Sequence, residues 1–490
     1  MQRRKSKAAI ALGIVAMALV MVFAGVWFVT EQHRAASVAQ VRRPLAIDAF
    51  QRLHRVVFAG LSPPDESPET VSRDLEFSDL FQGMPKDWVE TVDGYDRLFA
   101  KVGSLVNCAW NEFGETYDKS PEERTADENA KVADLIMENQ DIVREIRSMA
   151  ARGAPVRALD LRKGFAVELP HLTRLRSWAR LLRQDAIVKA MQGNKAEAVE
   201  DIIAGMKLGD ALAPEPILRS QLVRRGIYNI MYQAVQDCFD GGDLSPELIR
   251  ELLDHMAQAD NHQAFADAMA GEAYMGLDAF SDIRSGKVGI LDMFYGQGTS
   301  TGQVVGERVA LLLYRGPLMN MDEASYADIM SRCASAAELP YHEAEPLVKA
   351  IENDVELLPR ARLLSKVLVP ALARACEAQA RHETMLDLAQ LGLLIEQYKA
   401  KNGLFPGTLD DIGPELGGSL PVDPYTGGRY HYRPSADTFL LYSVGRNLRD
   451  DGGRHDLGDG DIVWRGKEED VTGRRSRPGI RGGLSTRYWR

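Results

Sequence analysis

Cysteine is scarce in this chain, and so are the residue patterns that carry common enzyme chemistry. The four cysteines, Cys108, Cys238, Cys333 and Cys376, are far apart and form no CxxC pair. This spacing excludes a zinc ribbon and gives no disulfide framework. Each cysteine is expected to be a small buried apolar residue, and one long-range disulfide remains as an alternative. No GxSxG elbow and no local Cys–His signature occurs, so the sequence carries no recognisable nucleophile.

Metal and nucleotide motifs are also missing. His342 and His382 are each followed by Glu, but neither has a second histidine four residues on, as a helical zinc site requires. The glycine-rich stretch 286–306 lacks the Gly-Lys-Ser/Thr ending of a phosphate loop and is expected to be a flexible loop. Acidic residues outnumber basic ones, 70 against 59, which argues against a nucleic acid partner. We therefore expect no enzyme, no small-molecule substrate and no nucleic acid partner.

One long uncharged stretch is present near the start of the chain. Ala8–Thr30 carries no charged residue, and as a helix rising 1.5 Å per residue it would span about 34 Å, which matches the hydrocarbon core of a bilayer. Basic residues precede it in 1–7, so the positive-inside rule places the N-terminus in the cytoplasm and the rest of the chain outside. The pattern predicts a single-pass anchor. A signal peptide cleaved after Ser37–Ala39 is the alternative.

Helical patterns dominate residues 31–365, which we expect to form one large extracytoplasmic domain. Apolar periodicity and start signals predict helices at Ser120 to Arg152, Leu172–Gln192, Ala196–Leu212 and Ile217–Phe239. Further helices are predicted after Ser245-Pro246-Glu247 and over Asp322–Ala337 and His342–Asn353. The helices Leu172–Gln192 and Ala196–Leu212 are joined at Gly193-Asn194 and resemble a tetratricopeptide-type hairpin. Because a solenoid needs at least three alike units, a compact or solenoid-like helical domain is the expectation.

The most specific pattern lies in residues 366–464, where a long helical stretch leads into a small α+β module. An apolar stripe at 3/4 spacing predicts a helix over Met385–Lys401, which Asn402-Gly403 would end. Asp423–Gly427 has the chemistry of a tight turn. Arg429–Arg433 and Thr438–Val444 fit two antiparallel strands. A helix laid across such a sheet can bury the apolar residues of both.

This order of elements, followed by Asp461-Ile462-Val463-Trp464, resembles the C-terminal globular domain of the major pseudopilins of type II secretion. In pseudopilins the loop after the second strand binds calcium, which takes 6–8 oxygen ligands from carboxylates and carbonyls. By this resemblance the ligands here would be the Val444 carbonyl, Asn447, Asp459 and Asp461, with Asp450 and Asp451 as further candidates. A solvated acidic loop without metal is the alternative.

The chain also departs from the pseudopilins. Asn447 stands where the family usually has Asp, which lowers the charge of the calcium site. No Gly-Phe-Thr-Leu-x-Glu processing motif occurs, and residues 31–384 separate the module from the uncharged stretch. Filament assembly is therefore not expected to be inherited. Residues 465–490 are basic and glycine-rich, and a disordered tail is expected there.

Together these patterns predict a mainly α protein with an N-terminal transmembrane helix, a large extracytoplasmic helical domain and a small C-terminal pseudopilin-like α+β module. The expected function is that of a non-catalytic interaction or scaffold protein of the bacterial envelope. It would be held in the inner membrane by one span, with its N-terminus inside, its bulk in the periplasm and other envelope proteins as partners. Two alternatives remain: an accessory component of a type II secretion or pilus-like apparatus, and a membrane-anchored hydrolase.

Overall fold

The predicted mainly helical architecture with a small antiparallel sheet is confirmed. The computed structural model describes Met21 and residues 25–39, 119–151, 165, 167–239, 244–258, 261–288, 314–359, 361–416, 419–454 and 460–465. The basic segment 1–7, most of the predicted span 8–30, most of the predicted loop 286–306 and nearly all of the predicted tail 465–490 lie outside these residues. The described helices include none that is both long and apolar enough to cross a bilayer.

The helices and strands are numbered here in chain order. The described helices are α1 (25–39), α2 (Ala126–Glu138), α3 (Gln140–Ala151), α4 (Pro170–Met191), α5 (Lys195–Asp210), α6 (Leu218–Phe239), α7 (Pro246–Gln258), α8 (Asn261–Ser285), α9 (Met319–Ala337), α10 (Tyr341–Leu357), α11 (Leu363–Leu368) and α12 (Pro370–Asn402). The strands are β1 (His431–Pro434), β2 (Phe439–Ser443) and β3 (Ile462–Arg465). Short 3₁₀ segments occur at Pro121–Glu123 and Leu409–Leu416, and a π-helical turn at Tyr314–Leu318 precedes α9.

The helix predicted from Ser120 to Arg152 is divided into three pieces. A 3₁₀ turn follows Ser120, and the chain then forms α2 and α3, which are separated at Asn139. The capping box that starts α2 lies five residues further on. Thr125 Oγ1 accepts the Glu128 N–H at 3.2 Å, and the Glu128 carboxylate accepts the Thr125 N–H at 2.8 Å. Both sites have the Ser/Thr-x-x-Glu pattern, so the sequence alone could not rank them.

The predicted hairpin is present as α4 and α5, and α6 packs against both. Small residues were expected at the contact between the two helices, and Ala179, Ala186 and Ala198 are buried. Gly205 on α5 allows a still closer approach, because a Cβ there would lie 2.0 Å from Met231 Sδ on α6. Small residues of this kind set the distance between helix axes.

A group of buried charges fixes α3, α4 and α5 relative to one another. Asp185 and Asp201 are fully buried, and both accept bonds from Lys189 on α4 and from Arg147 on α3. Gln140 Nε2 donates to the other oxygen of Asp185 at 2.5 Å. Burial is the main cause that raises the pKa of Asp201 to about 7. Buried charges are tolerated when every member is paired in this way.

The buried apolar residues form two cores. The first is lined by α2–α7, the second half of α12 and the C-terminal sheet. The second is lined by α8–α11, the start of α12, and Val38 from α1. Helix α12 contributes to both, and the first core continues from the helical body into the C-terminal module. The three described cysteines, Cys238, Cys333 and Cys376, are free thiols, and Cys108 lies outside the described residues.

The C-terminal module consists of a three-stranded antiparallel sheet in the order β1-β2-β3, lying against α12. His431 pairs with Tyr442 and Ser443 pairs with Ile462. Two strands were predicted, and the third, β3, returns after the acidic loop. Trp464 on β3 lies directly on Gly392, where a Cβ would be 2.0 Å from Trp464 Nε1. Only glycine leaves room for the indole at this crossing.

Gly392→Ala is expected to destabilise the chain by about 1–3 kcal/mol, because overpacking at a tight contact forces neighbours apart. Gly226→Ala on α6 is the matched control, since a Cβ there meets nothing within 4 Å. That change should stabilise by up to about 1 kcal/mol through helix propensity. Urea unfolding of both variants measures the difference, and equal effects of the two substitutions would contradict the tight helix–sheet contact.

Candidate functional site

The acidic loop between β2 and β3 holds most of the residues predicted to bind calcium. It starts with a tight turn at Gly445, which has φ +65 and whose Cβ position would lie 2.7 Å from the Gly460 carbonyl oxygen. A left-handed backbone in so narrow a space requires glycine. Ser443 at the end of β2 secures the turn, since its hydroxyl accepts the Gly445 N–H at 3.1 Å and donates to Asp423 Oδ2 at 2.8 Å. Ser443 thus connects the start of the loop to the turn at Asp423, and its pairing with Ile462 brings the two ends of the loop together.

Asp461 is the central carboxylate of this loop. It is fully buried, and its oxygens accept the backbone N–H groups of Gly453 at 2.7 Å and Asp451 at 3.3 Å. Burial raises the pKa of the Asp461 carboxyl, and the two backbone bonds oppose that rise. In this arrangement Asp461 closes the loop on its own backbone. Such a carboxylate holds the loop in shape with or without a metal ion.

Asp450 lies at the edge of the same loop, facing the sheet. Its Oδ1 accepts the Tyr442 hydroxyl at 2.8 Å and the Gly452 N–H at 2.9 Å, and its Oδ2 lies 3.7 Å from both Arg433 and His431. The hydrogen bond from Tyr442 is the main cause that lowers the pKa of Asp450. Asp450 therefore already has a tyrosine hydroxyl, a backbone N–H and the Arg433 guanidinium as neighbours.

The remaining predicted ligands, Asn447, Asp451, Val444 and Asp459, are not brought together in one group among the described residues. Asn447 accepts the Arg449 N–H through Oδ1 at 2.8 Å and donates to Asp451 at 3.0 Å. Val444 is buried just before the turn, and Asp459 lies outside the described residues. Within the described part of the loop, no three of His, Cys, Asp and Glu are grouped so that they could hold a metal. Calcium binding therefore stays a prediction of the resemblance.

Calcium binding is testable on the full chain through thermal stability. If the loop binds calcium, millimolar Ca²⁺ should raise the melting temperature by about 2 °C or more, because a ligand that binds only the folded state stabilises it. Asp461→Asn should abolish that rise. It should also lower the melting temperature in chelator, because a buried amide cannot accept both backbone N–H groups. Asp437→Asn, on an exposed turn, is the control. If Ca²⁺ leaves the melting temperature of the wild-type chain unchanged, the loop does not bind calcium.

A second polar cluster, centred on His382 of α12, lies in the first core. The imidazole is fully buried between two rings of α6, edge-on to Tyr228 at 5.5 Å and stacked on Tyr232 at 6.1 Å between centroids. Among the described residues, neither ring nitrogen has a hydrogen-bond partner, and the Tyr232 hydroxyl has none either. Burial holds the pKa of His382 well below its usual value, and the nearby guanidinium groups of Arg225 and Arg224 lower it further. His382 is therefore a neutral core histidine.

The surroundings of His382 are rich in charge. Arg225 is buried over the Phe265 ring at 4.6 Å and donates to the Ala375 carbonyl at 3.3 Å. Burial lowers the pKa of Arg225 to about 9. One turn beyond His382 on α12, Asp387 accepts the Tyr430 hydroxyl at 2.7 Å, and burial raises its pKa to about 7. These contacts connect α6, α12 and the C-terminal module through polar groups in an otherwise apolar interior.

Sequence reasoning missed this cluster. In the sequence, His382 followed by Glu suggests only half of a zinc motif, and its neighbours Tyr228 and Tyr232 lie on a helix much earlier in the chain. Their i, i+4 spacing places both rings on one face of α6. That signal is shared by many helices and does not name a partner. Only the packing of α12 on α6 brings the three rings together.

Neither a known family model nor a curated protein nor a solved structure matches this chain. The resemblance to the pseudopilins therefore rests on the residues of the C-terminal module and on the likeness of its motif order.

The His382 environment predicts a specific pH dependence of stability. The folded state keeps His382 neutral, whereas the unfolded chain protonates it below about pH 6.5. Its contribution to stability is thus fully present above that pH and is lost as the pH falls, by up to about 1.4 kcal/mol per pH unit. His382→Phe removes this loss. Relative to wild type, the variant should gain about 2 kcal/mol between pH 8 and pH 5.

Urea unfolding at the two pH values measures this difference. Asp201 and Asp387, whose raised pKa values have the opposite effect, titrate in both proteins and cancel in the comparison. His33→Phe, on the exposed side of α1, is the control for loss of a histidine. A difference between His382→Phe and wild type that is the same at both pH values contradicts the assigned burial.

Proposed function

We propose that this chain is a membrane-anchored, extracytoplasmic interaction or scaffold protein of the bacterial envelope, non-catalytic, with its N-terminus in the cytoplasm. The observation that carries the proposal is the attachment of α1 to the helical body. The described part of α1, residues 25–39, includes the last residues of the uncharged stretch 8–30. A segment that leaves a bilayer in this way holds whatever it is fixed to at the membrane surface.

The attachment of α1 combines an ion pair with an apolar contact. Arg34 Nη1 lies 3.2 Å from Glu323 Oε1 on α9, and Glu323 also pairs with Arg284 of α8. Glu323 is buried, so the shared carboxylate is shielded from solvent. Val38, one turn after Arg34, is buried in the second core. These contacts join α1 to α9, and Arg284 of α8 shares the same carboxylate.

The C-terminal module is also joined to the helical body by specific contacts. Besides the contact of Trp464 with Gly392, the His342 N–H donates to the Pro424 carbonyl at 2.9 Å, and the rings of Tyr341 and Tyr425 meet edge-on at 5.3 Å. The acidic loop is therefore presented at a fixed position on the body. A rigid support for a loop-bearing module fits a scaffold or interaction role, because binding residues are commonly placed on loops held by a rigid framework.

The C-terminal module favours a second candidate, an accessory component of a type II secretion or pilus-like apparatus. A long helix lying against a three-stranded antiparallel sheet, with an acidic loop before the last strand, has the order of elements that suggested the pseudopilins. Purification of the full chain from membranes under mild detergent separates the two candidates. Stoichiometric recovery of secretion components supports the second candidate, and their absence supports an independent scaffold.

The membrane orientation is tested with reporters fused after Arg490. Alkaline phosphatase, which folds only outside the cytosol, should be active, and a green fluorescent protein in the same place should be dark. Replacing the basic residues of 1–7 with glutamine is the matched control, because it removes the charge bias that sets orientation. This change should lower the phosphatase activity. A fluorescent C-terminal fusion to the wild-type chain would contradict the proposed topology.

A further inference from the structure

The contact between α6 and α12 contains a row of polar side chains on each helix. Spacings of three and four residues place the members of each row on one helix face. Arg225 Nη1 donates to the Ala375 carbonyl at 3.3 Å, and Tyr232 stacks on His382 at 6.1 Å between ring centroids, so the two rows face each other. The α6–α12 seam, as we call it, consists of Arg225, Asn229 and Tyr232 on α6 and of Gln379 and His382 on α12.

The polar atoms of the seam are buried without protein partners. Four of its side chains are more than nine-tenths buried, and Asn229 is partly buried. Six buried atoms of the seam have no hydrogen-bond partner among the described residues: Arg225 Nη2, Asn229 Oδ1, Tyr232 Oη, Gln379 Oε1 and both ring nitrogens of His382. Leaving such groups unpaired is unfavourable, and nearly all buried polar groups in native proteins bond either to protein or to ordered water.

These atoms include both hydrogen-bond donors and hydrogen-bond acceptors. Arg225 Nη2 and the Tyr232 hydroxyl donate, and in a neutral His382 one ring nitrogen donates while the other accepts. Gln379 Nε2 donates to Glu383 Oε1 at 2.5 Å, which leaves Gln379 Oε1 as an acceptor. An anion only accepts hydrogen bonds, so it would leave the acceptors of the seam unpaired. Water both donates and accepts, and it fits the whole set.

We propose that ordered water molecules lie in the α6–α12 seam and bridge its two rows of side chains. A buried water makes about three hydrogen bonds, so the unpaired atoms correspond to about two water molecules. The inference concerns the interior of the helical body and is independent of the proposed membrane anchor and envelope role. It assigns the polar contact between α6 and α12 to bridging water instead of direct side-chain bonds.

The surroundings of the seam provide a path for water from the surface. Glu383, which accepts the bond from Gln379, lies with its Oε1 3.3 Å from His262 Nδ1, and the side chains of His262 and Glu383 are 42% and 24% exposed. One turn after Glu383 on α12, Asp387 accepts the Tyr430 hydroxyl of the C-terminal module at 2.7 Å. The seam therefore lies between a partly exposed ion pair and the polar contact with the module.

Tyr232→Phe tests the seam in the full chain, because it removes only the hydroxyl. If water bridges this hydroxyl, its loss removes hydrogen bonds, and the folded-to-unfolded ratio in urea should fall by about fivefold. In a seam without water, the substitution would remove an unpaired buried group, and the ratio would stay the same or rise. Either of these results would overturn the proposal. Tyr326→Phe is the matched control, since Tyr326 is equally buried and its hydroxyl donates directly to the Glu272 carbonyl at 3.0 Å.

A high-resolution crystal structure of the full chain provides a second test that needs no variant. Density for water within hydrogen-bond distance of both Tyr232 Oη and Gln379 Oε1 is the expected result. Direct bonds between the seam residues, with no water among them, would overturn the proposal. Crystals soaked in bromide separate water from an anion, because bromide gives an anomalous signal. Such a signal in the seam would show an anion site and would also overturn the assignment to water.

Discussion

Burial of helix α12 on several faces at once is the constraint on which the rest of the structure depends. Its first turns enter the second core through Ala375 and Cys376, its middle packs on α6 through Ala380 and Leu388, and its last turns lie against the sheet. A helix that is apolar on more than one face is stable only when it is covered on each of them. The body and the C-terminal module therefore cannot separate without exposing part of α12 to water.

The buried polar groups are of two kinds: charged groups that are paired with each other, and groups without a hydrogen-bond partner among the described residues. In the ion network of α3, α4 and α5, Asp185 and Asp201 are paired with Lys189 and Arg147, so each buried charge has a partner. Removing one member would leave the others uncompensated, which makes the network specific for one packing of the three helices. Around His382 the ring nitrogens have no partner among the described residues, and the contacts are those of stacked rings. The paired charges favour one packing of α3, α4 and α5, whereas the position of His382 follows from the packing of α12 on α6.

Two buried carboxylates, Glu323 and Asp461, each accept bonds from more than one donor. Near the start of the chain, the Arg34–Glu323 pair joins α1 to α9, and near its end the acidic loop is closed by Asp461 on its own backbone. Both use a buried carboxylate as the acceptor of several donors, which is stronger than an exposed ion pair. The two attachments lie on different cores, which α12 connects.

The sequence by itself determined the helical class, the α4–α5 hairpin with its small residues, the end of α12 at Gly403 and the two strands β1 and β2. These features follow from local chemistry: apolar periodicity, a left-handed glycine at φ +76 and the turn at Asp423. Tertiary structure alone decided that α12 belongs to both cores, that Trp464 meets Gly392 and that His382 lies between two tyrosines. It also places the carboxylate of Asp461, a predicted calcium ligand, within hydrogen-bond distance of the Gly453 and Asp451 backbone N–H groups. The physical reason is distance along the chain, because local preferences fix backbone angles within a few residues, whereas which remote side chains share a space depends on how the helices pack.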